Sequence, residues 1–258
     1  MNRLILFAHF DAEAQVKPYI LFHLKALKEL GHIHFISNSP LPSNEIAKVA
    51  PLVERTLLRE NKGLDFGMWQ AGLQGLDLGS YDEVVLTNSS VLGPLTPLES
   101  IFERMAANPC DFWAMTESLE YCPHLQTYFM VFRKRVACSL AFTRFFAGVL
   151  PYQSKTLVVH AYELGLTTFL RENGFLGATA FPLSACRNPF WQNWSLRGTP
   201  MNRLRLKKNP TLNYPDLLLQ SGMPYLKTML LASNPRALRI KALLNLIQKS
   251  GLNLDQLR

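Results

Sequence analysis

The chain has 258 residues, enough for one α/β domain with an appended tail, and 48% of them are hydrophobic, which excludes general disorder. No uninterrupted apolar run approaches the ~18 residues of a membrane span; the longest candidate, Val136 to Tyr152, carries Arg144 in its middle. The charge is +8 and localised: residues 197–258 hold 11 basic and 2 acidic side chains, the rest of the chain 16 and 17.

Leu4 to Ala8 is a continuous apolar run, the pattern of a strand covered on both faces. It is too short for the apolar core of a secretory leader, so a cytoplasmic chain is expected. Val16, Ile20, Leu24, Leu27 and Leu30 recur at helical spacing, with Pro18 in the first turn and Gly31 as the stop. Ile33 to Ser37 predicts a second strand ending in the turn Asn38-Ser39-Pro40, and Thr56 to Arg59 a shorter third. Gly63 then permits a tight turn, and Asp65 is placed to cap a helix bearing Phe66, Trp69, Leu73 and Leu76. Val84 to Thr87 predicts a fourth strand, entering Asn88-Ser89-Ser90 and Gly93-Pro94. Thr96 to Glu99 has the spacing of a capping box and opens a helix with Ile101, Phe102 and Met105. Phe112 to Met115 and Tyr128 to Phe132 read as further strands, and a helix is expected from Tyr162 to Gly174. Beyond Cys186 the sheet pattern fades, and Arg236 to Lys249 reads as a basic amphipathic helix. The alternation predicts an α/β fold: a mostly parallel sheet flanked by helices over residues 1–196, then a basic helical tail over 197–258.

Cys110, Cys122, Cys138 and Cys186 form no C-x-x-C pair, so reduced core thiols are expected rather than a zinc site or a disulfide framework. The basic, leucine-rich tail suits an anionic surface, either lipid headgroups or a phosphate-bearing ligand; a solvated basic face is an equally good account. No nucleic-acid-binding motif accompanies the charge, so nucleic acid is not an expected partner.

Ligands of open α/β sheets bind at the carboxyl ends of the strands. His9 and Asp11 follow the first strand, and Asn38 and Ser39 the second. Arg59, Asn61, Lys62 and Asp65 follow the third, Asn88 and Ser90 the fourth, and Glu117 the fifth. Arg59 and Lys62 suit phosphate charge, and the helix start that follows favours an anion. Asp65 suits a base or ribose, or serves only as the cap. The segment Arg59 to Gly67 matches neither G-x-x-x-x-G-K-[ST] nor G-x-G-x-x-G, which argues against ATPase and dinucleotide chemistry. His124 and Gln126, just before a strand, suit sugar hydroxyls, although a hydrogen-bonded loop histidine is the commoner case. Trp191 and Trp194 offer faces for a sugar ring or, more commonly, pack a tail onto a sheet.

Phe7-Ala8-His9-Phe10-Asp11, Arg59-Glu60-Asn61-Lys62-Gly63-Leu64-Asp65-Phe66-Gly67 and Leu86-Thr87-Asn88-Ser89-Ser90-Val91-Leu92-Gly93-Pro94 resemble the rhamnan synthesis protein F family. So do Asp111-Phe112-Trp113, His124 to Phe129, Asn209-Pro210-Thr211 and Pro224-Tyr225-Leu226-Lys227, in collinear order from Leu4 to Asn234. The resemblance implies a GT-A-like glycosyltransferase of bacterial polysaccharide or lipopolysaccharide assembly. Its donor would be a nucleotide-activated rhamnose or related deoxyhexose, and its acceptor a lipid-linked glycan reached from the inner face of the cytoplasmic membrane. Donor contacts are then expected at His9, Asp11, Arg59, Asn61, Lys62, Gly63, Asp65, Asn88 and Ser90, and acceptor contacts at His124 and Gln126.

Ser89 departs from the pattern, since the family typically has Asn-Asp-Ser where this chain has Asn88-Ser89-Ser90. In metal-dependent GT-A enzymes an acidic residue near this strand end holds Mg²⁺ or Mn²⁺ against the diphosphate. Weak or absent metal dependence is therefore expected, with Arg59 or Lys62 neutralising the leaving group. Tyr162 to Phe175 resembles the GT-A helix that opens on an acidic residue, which makes Glu163 the expected general base, with Asp111 and Glu117 behind it. A charge that merely favours a helix N-terminus is the alternative for Glu163. A nucleotide- or glycan-binding protein without turnover and a membrane-associated scaffold stay open beside the enzyme.

Overall fold

The apolar runs form the centre of one sheet. In the computed structural model, which describes residues 1–186, 209–238 and 240–249, β1 (Arg3–His9) pairs in parallel with β2 (His32–Ser37) and with β4 (Glu83–Asn88). β3 (Arg55–Leu58) extends this set in parallel beyond β2. On the other side β8 (Phe129–Arg133) runs antiparallel to both β4 and β6 (Phe112–Ser118). β6 in turn pairs in parallel with β9 (Gly177–Phe181) and antiparallel with the short β7 (His124–Leu125). The spatial order is β3-β2-β1-β4-β8-β6-β7, with β9 also on β6. This is the mostly parallel α/β sheet that the strand–helix alternation predicts.

Successive strand residues point to opposite faces, and both faces are covered. Ile5, Phe7, Val85, Trp113, Phe129 and Val131 pack under α1 (Pro18–Lys28), α2 (Ser43–Val49) and α4 (Glu99–Ala106). Leu4, Leu6, Leu86, Phe112, Met130 and Phe132 pack under α3 (Leu64–Leu73), α6 (Leu140–Ala147) and α8 (Leu164–Glu172). Each such side chain, fully buried, contributes about 1.5–3 kcal/mol, so the sheet is a rigid platform for its loops.

The structure departs from the sequence expectations at several elements. The capping box is not made: Leu98 is already helical, and the Thr96 hydroxyl donates to the Gly222 carbonyl at 2.9 Å. Asp65 does not cap α3 either, since Gly63, with φ +76°, is the residue preceding the helix and Asp65 lies within its first turn. The helix expected from Tyr162 begins earlier. α7 (Lys155–Val158), capped by Ser154, runs through a π-helical turn, Val159–Glu163, into α8, so Glu163 lies mid-helix and the macrodipole account of it falls. β5 (Val91–Leu92) and β10 (Leu226–Lys227) form a two-stranded antiparallel ribbon. Beside it Gly93 approaches the Pro224 carbonyl so closely that a Cβ would lie 2.3 Å from that oxygen, which a glycine alone accommodates. Trp191, Trp194, the residue 196 boundary and Arg197 to Lys208 lie outside the described residues.

Candidate functional site

Because β1, β2 and β4 are parallel, their carboxyl ends deliver His9, Asn38 and Asn88 to one edge. His9 sits beneath that edge rather than on it: the ring is buried and meets Ser37 Oγ at 2.9 Å. Burial outweighs the nearby Asp11 charge and pushes the His9 pKa down to about 4, leaving the imidazole neutral at neutral pH. Asp11 organises its own loop, its Oδ1 accepting from the Glu13 and Gln15 backbone N–H groups at 2.9 and 3.2 Å.

The Arg59 to Gly67 segment folds back on itself. Arg59 Nη1 donates to the Lys62 carbonyl at 2.8 Å and to Asn38 Oδ1 at 3.2 Å, while Asn38 Nδ2 donates to Asn61 Oδ1 at 3.0 Å. Gly63 anchors the turn through its N–H on the Tyr152 carbonyl at 3.0 Å. The exposed Lys62 pairs with Glu60 at 2.5 Å. The two cations that the sequence nominated for phosphate are thus, respectively, a loop brace and an outward-facing ion pair.

The chemistry gathers one step further in. Lys227 Nζ donates to Ser90 Oγ at 3.1 Å, and Ser90 Oγ donates to Asn88 Oδ1 at 2.6 Å. Asn88 Nδ2 then donates to Asp65 Oδ2 at 2.8 Å. These bonds align in one direction from an ammonium to a carboxylate, so each polarises the next. The Ser90 N–H also donates to Asn88 Oδ1, at 3.1 Å, which fixes the amide orientation. Burial pushes the Asp65 carboxyl up to about 6, against the stabilising Asn88 bond and the Lys227 charge. It pushes Lys227 down to about 8, against the charges of Glu163 and Asp65. The charges of Glu163 and Lys155, on the helix that contains the π turn, also act on both groups. Tyr128 floors this mouth, with Lys227 Nζ 4.1 Å from the ring centroid.

The remaining nominees are elsewhere or already engaged. Asp111 lies at the amino end of β6, the opposite edge of the sheet, where it binds Arg135 at 2.6 Å and the Leu176 N–H at 2.8 Å. Although burial opposes its charge, those two partners hold its carboxyl below the usual range, so it is excluded as a base at this mouth. Glu117 is at the carboxyl end of β6, but its carboxylate accepts from the Leu183 N–H at 2.9 Å, after β9. His124 is the first residue of β7 rather than a loop residue ahead of a strand, and its Nδ1 lies 2.9 Å from the Cys122 carbonyl. Buried Gln126 accepts from Thr116 and donates towards Asn209 and Thr211, tying β7 to the C-terminal segment. Lys227, Lys155 and Tyr128 were not nominated. The one signal for Lys227 was its place in the Pro224-Tyr225-Leu226-Lys227 block.

A hard divalent cation fits this donor set poorly. Asp65 already accepts from Asn88, Ser89 offers no carboxylate, and the positive charges of Lys227 and Lys155 act on Asp65. Among the described residues no three or more His, Cys, Asp or Glu side chains gather as a metal site. A pocket of about 680 Å³ between α3 and α6, lined by Gln70, Leu73, Asp77, Cys138, Phe142 and Phe146, holds none of the mouth's groups.

A mostly parallel sheet with two antiparallel members, β7 and β8, flanked by helices and carrying its polar groups at the carboxyl ends of the parallel strands, defines a mixed α/β domain. The rhamnan synthesis protein F family model matches residues 33–255, and the chain belongs to that family. The virulence protein VirA of Vibrio anguillarum is 28% identical over 193 residues, covering 69% of this chain; the chain spans 62% of the length of that curated relative. Among solved structures, a candidate nucleotide-diphospho-sugar transferase of Desulfovibrio desulfuricans G20 shares 17% identity over 70% of this chain and 79% of its own, with a TM-score of 0.40. Mouse xyloside xylosyltransferase 1 shares 12% over 69% and 85%, also with a TM-score of 0.40. Among the described residues no helix is long and apolar enough to cross a membrane.

Proposed function

We propose that this chain is a nucleotide-sugar-dependent glycosyltransferase that moves rhamnose or a related deoxyhexose onto a bacterial surface polysaccharide. The supporting observation is the single mouth where Asp65, Asn88, Ser90 and Lys227 are chained together and on which the Glu163 charge acts, in a chain of this family. Asp65 and Asn88 are placed to hold the donor. Glu163 takes the acceptor's proton as the hydroxyl oxygen bonds to the anomeric carbon. The bond from that carbon to the diphosphate breaks, its electron pair leaves on the diphosphate oxygen, and the configuration inverts. The step needs no metal. The acceptor is lipid-linked, and the basic C-terminal residues hold the enzyme at the inner face of the cytoplasmic membrane.

The test is a panel of UDP, GDP, dTDP and CDP with their sugars, read by thermal shift and by release of nucleoside diphosphate. A ligand at ~100 times its dissociation constant stabilises the fold by roughly 2.7 kcal/mol. Glu163→Gln is expected to bind donor normally and to lose at least ~10²-fold in transfer, the scale of general-base removal. A shift without release would mark a binding protein without turnover, neither would end the nucleotide-sugar reading, and a retained anomeric configuration would reject the single-base mechanism.

A further inference from the structure

Ser89 stands where the resemblance to the family leads one to expect a carboxylate, so this strand end offers no acidic holder for a charge-neutralising ion. Some positive group must still meet a diphosphate if the function proposed above is right. Neither cation of the Arg59 loop is placed to do so: the Arg59 guanidinium braces the Lys62 carbonyl, and Lys62 pairs outward with Glu60. One basic side chain reaches the mouth from the far end of the sequence. β10 pairs with β5, the strand directly after Ser90, so Lys227 lies opposite Val91 and its Nζ reaches Ser90 Oγ at 3.1 Å. The Thr228 N–H and hydroxyl also bond the Ser90 carbonyl, at 3.0 and 3.1 Å, which fixes the register of that reach.

We propose that Lys227 is the donor-diphosphate-binding residue of this enzyme, its ammonium occupying the role that a carboxylate-held divalent cation fills in metal-dependent relatives of the fold. The assignment rests on the glycosyltransferase reading and names the residue that receives the leaving group. An ammonium carries three N–H donors, and Ser90 Oγ is the one hydrogen-bond acceptor it meets among the described residues. The Tyr128 ring beneath it supports a cation without competing for those donors. With a pKa of about 8 the group remains mainly charged at neutral pH. As the bond from the anomeric carbon to the diphosphate breaks, negative charge grows on the departing oxygen, and a fixed ammonium stabilises it without reorganising.

The experiment is calorimetric titration of the full chain with whichever of UDP, GDP, dTDP or CDP it binds, in EDTA and again in Mg²⁺. Wild type is expected to bind with the same affinity, within threefold, in both. Lys227→Met, which keeps the length over Tyr128, is expected to weaken nucleoside diphosphate binding at least tenfold and the free nucleoside far less. Lys227→Arg should recover part of the loss. Where the methionine variant does not fold, as read by circular dichroism, protection of wild-type Lys227 from acetic anhydride by the same diphosphate serves instead, read by peptide mass spectrometry. Unchanged affinity in a folded Lys227→Met, absence of protection, or binding by wild type only with Mg²⁺ would overturn the assignment while leaving the nucleotide-sugar reading standing. Failure of wild type to bind any of the four removes both.

Discussion

Asp65 is a carboxyl group kept where its charge is disfavoured, and that makes it testable through pH. Its ordinary value of 3.8 is raised to about 6, chiefly by burial. Between about pH 4 and 6 the folded chain therefore holds more of this proton than the unfolded chain does, and stability falls as pH rises through that window. Asp65→Asn removes the titration. Thermal melts at a series of pH values are expected to show wild type losing stability relative to the variant across the window, with a constant difference above it. The same variant should bind nucleoside diphosphate more weakly despite equal or greater stability at pH 7, as expected of a group retained for binding rather than packing. A difference of opposite slope would mean that the carboxylate is stabilised, not strained. Strand-end logic found Asp65 and Asn88 because both lie within a residue or two of an element boundary. It could not find Lys227, which reaches Ser90 across 137 residues of chain through a two-residue strand with no periodicity to read. It also overvalued Arg59 and Lys62, since a charge in a loop looks alike whether it faces a ligand or its own carbonyl.

Elements of strong pattern were legible, and weak ones were not. Leu4 to Ala8 announced β1 because an apolar run buried on both faces has few other readings, whereas β5, β7 and β10 are two residues each. The Thr96 capping box had the right letters, but the Gly222 carbonyl took its hydroxyl, a tertiary contact that local spacing does not encode. The π turn that ends at Glu163 likewise leaves no mark in residue type. Two glycines in helices show how context decides sign. At Gly67 alanine would gain up to ~1 kcal/mol of helix propensity. Its Cβ, however, would sit 2.2 Å from the Lys62 carbonyl and 3.0 Å from Arg59 Nη1, and a backbone oxygen held by that guanidinium has nowhere to move. Overpacking costs about 1–3 kcal/mol, so Gly67→Ala should be destabilised and should disturb the Arg59 loop. Gly165 has nothing within 4 Å of the same position, and Gly165→Ala should gain about 0.5–1 kcal/mol. Urea unfolding of both variants checks the pair; a stabilised Gly67→Ala would show that the loop yields.

At the scale of the molecule, the C-terminal segment is part of the domain's packing as well as a source of charge. Leu238 and Leu243 are buried with Leu92, Leu95, Leu226 and Leu230, against the ribbon that holds Lys227 in place. Leu238 and Leu243, on the apolar face of the Arg236 to Lys249 segment, are therefore covered by the protein itself, and Arg236 is held by Glu120 at 2.9 Å. Membrane attachment, as proposed, then depends on basic side chains such as the exposed Lys241 and not on insertion of these leucines. Leu243→Ala is expected to destabilise the fold by about 2–5 kcal/mol, the usual cost of opening a cavity at a fully buried leucine, read as a shift in urea midpoint. Below its melting temperature it should still co-sediment with phosphatidylglycerol vesicles as wild type does. That association should be weakened by salt, because exposed charges act over a screening length of about 8 Å at physiological ionic strength. If Leu243→Ala instead keeps its stability and loses vesicle binding, the leucine face meets lipid, and the packing that carries Lys227 to the mouth must be supplied by β5 and β10 alone.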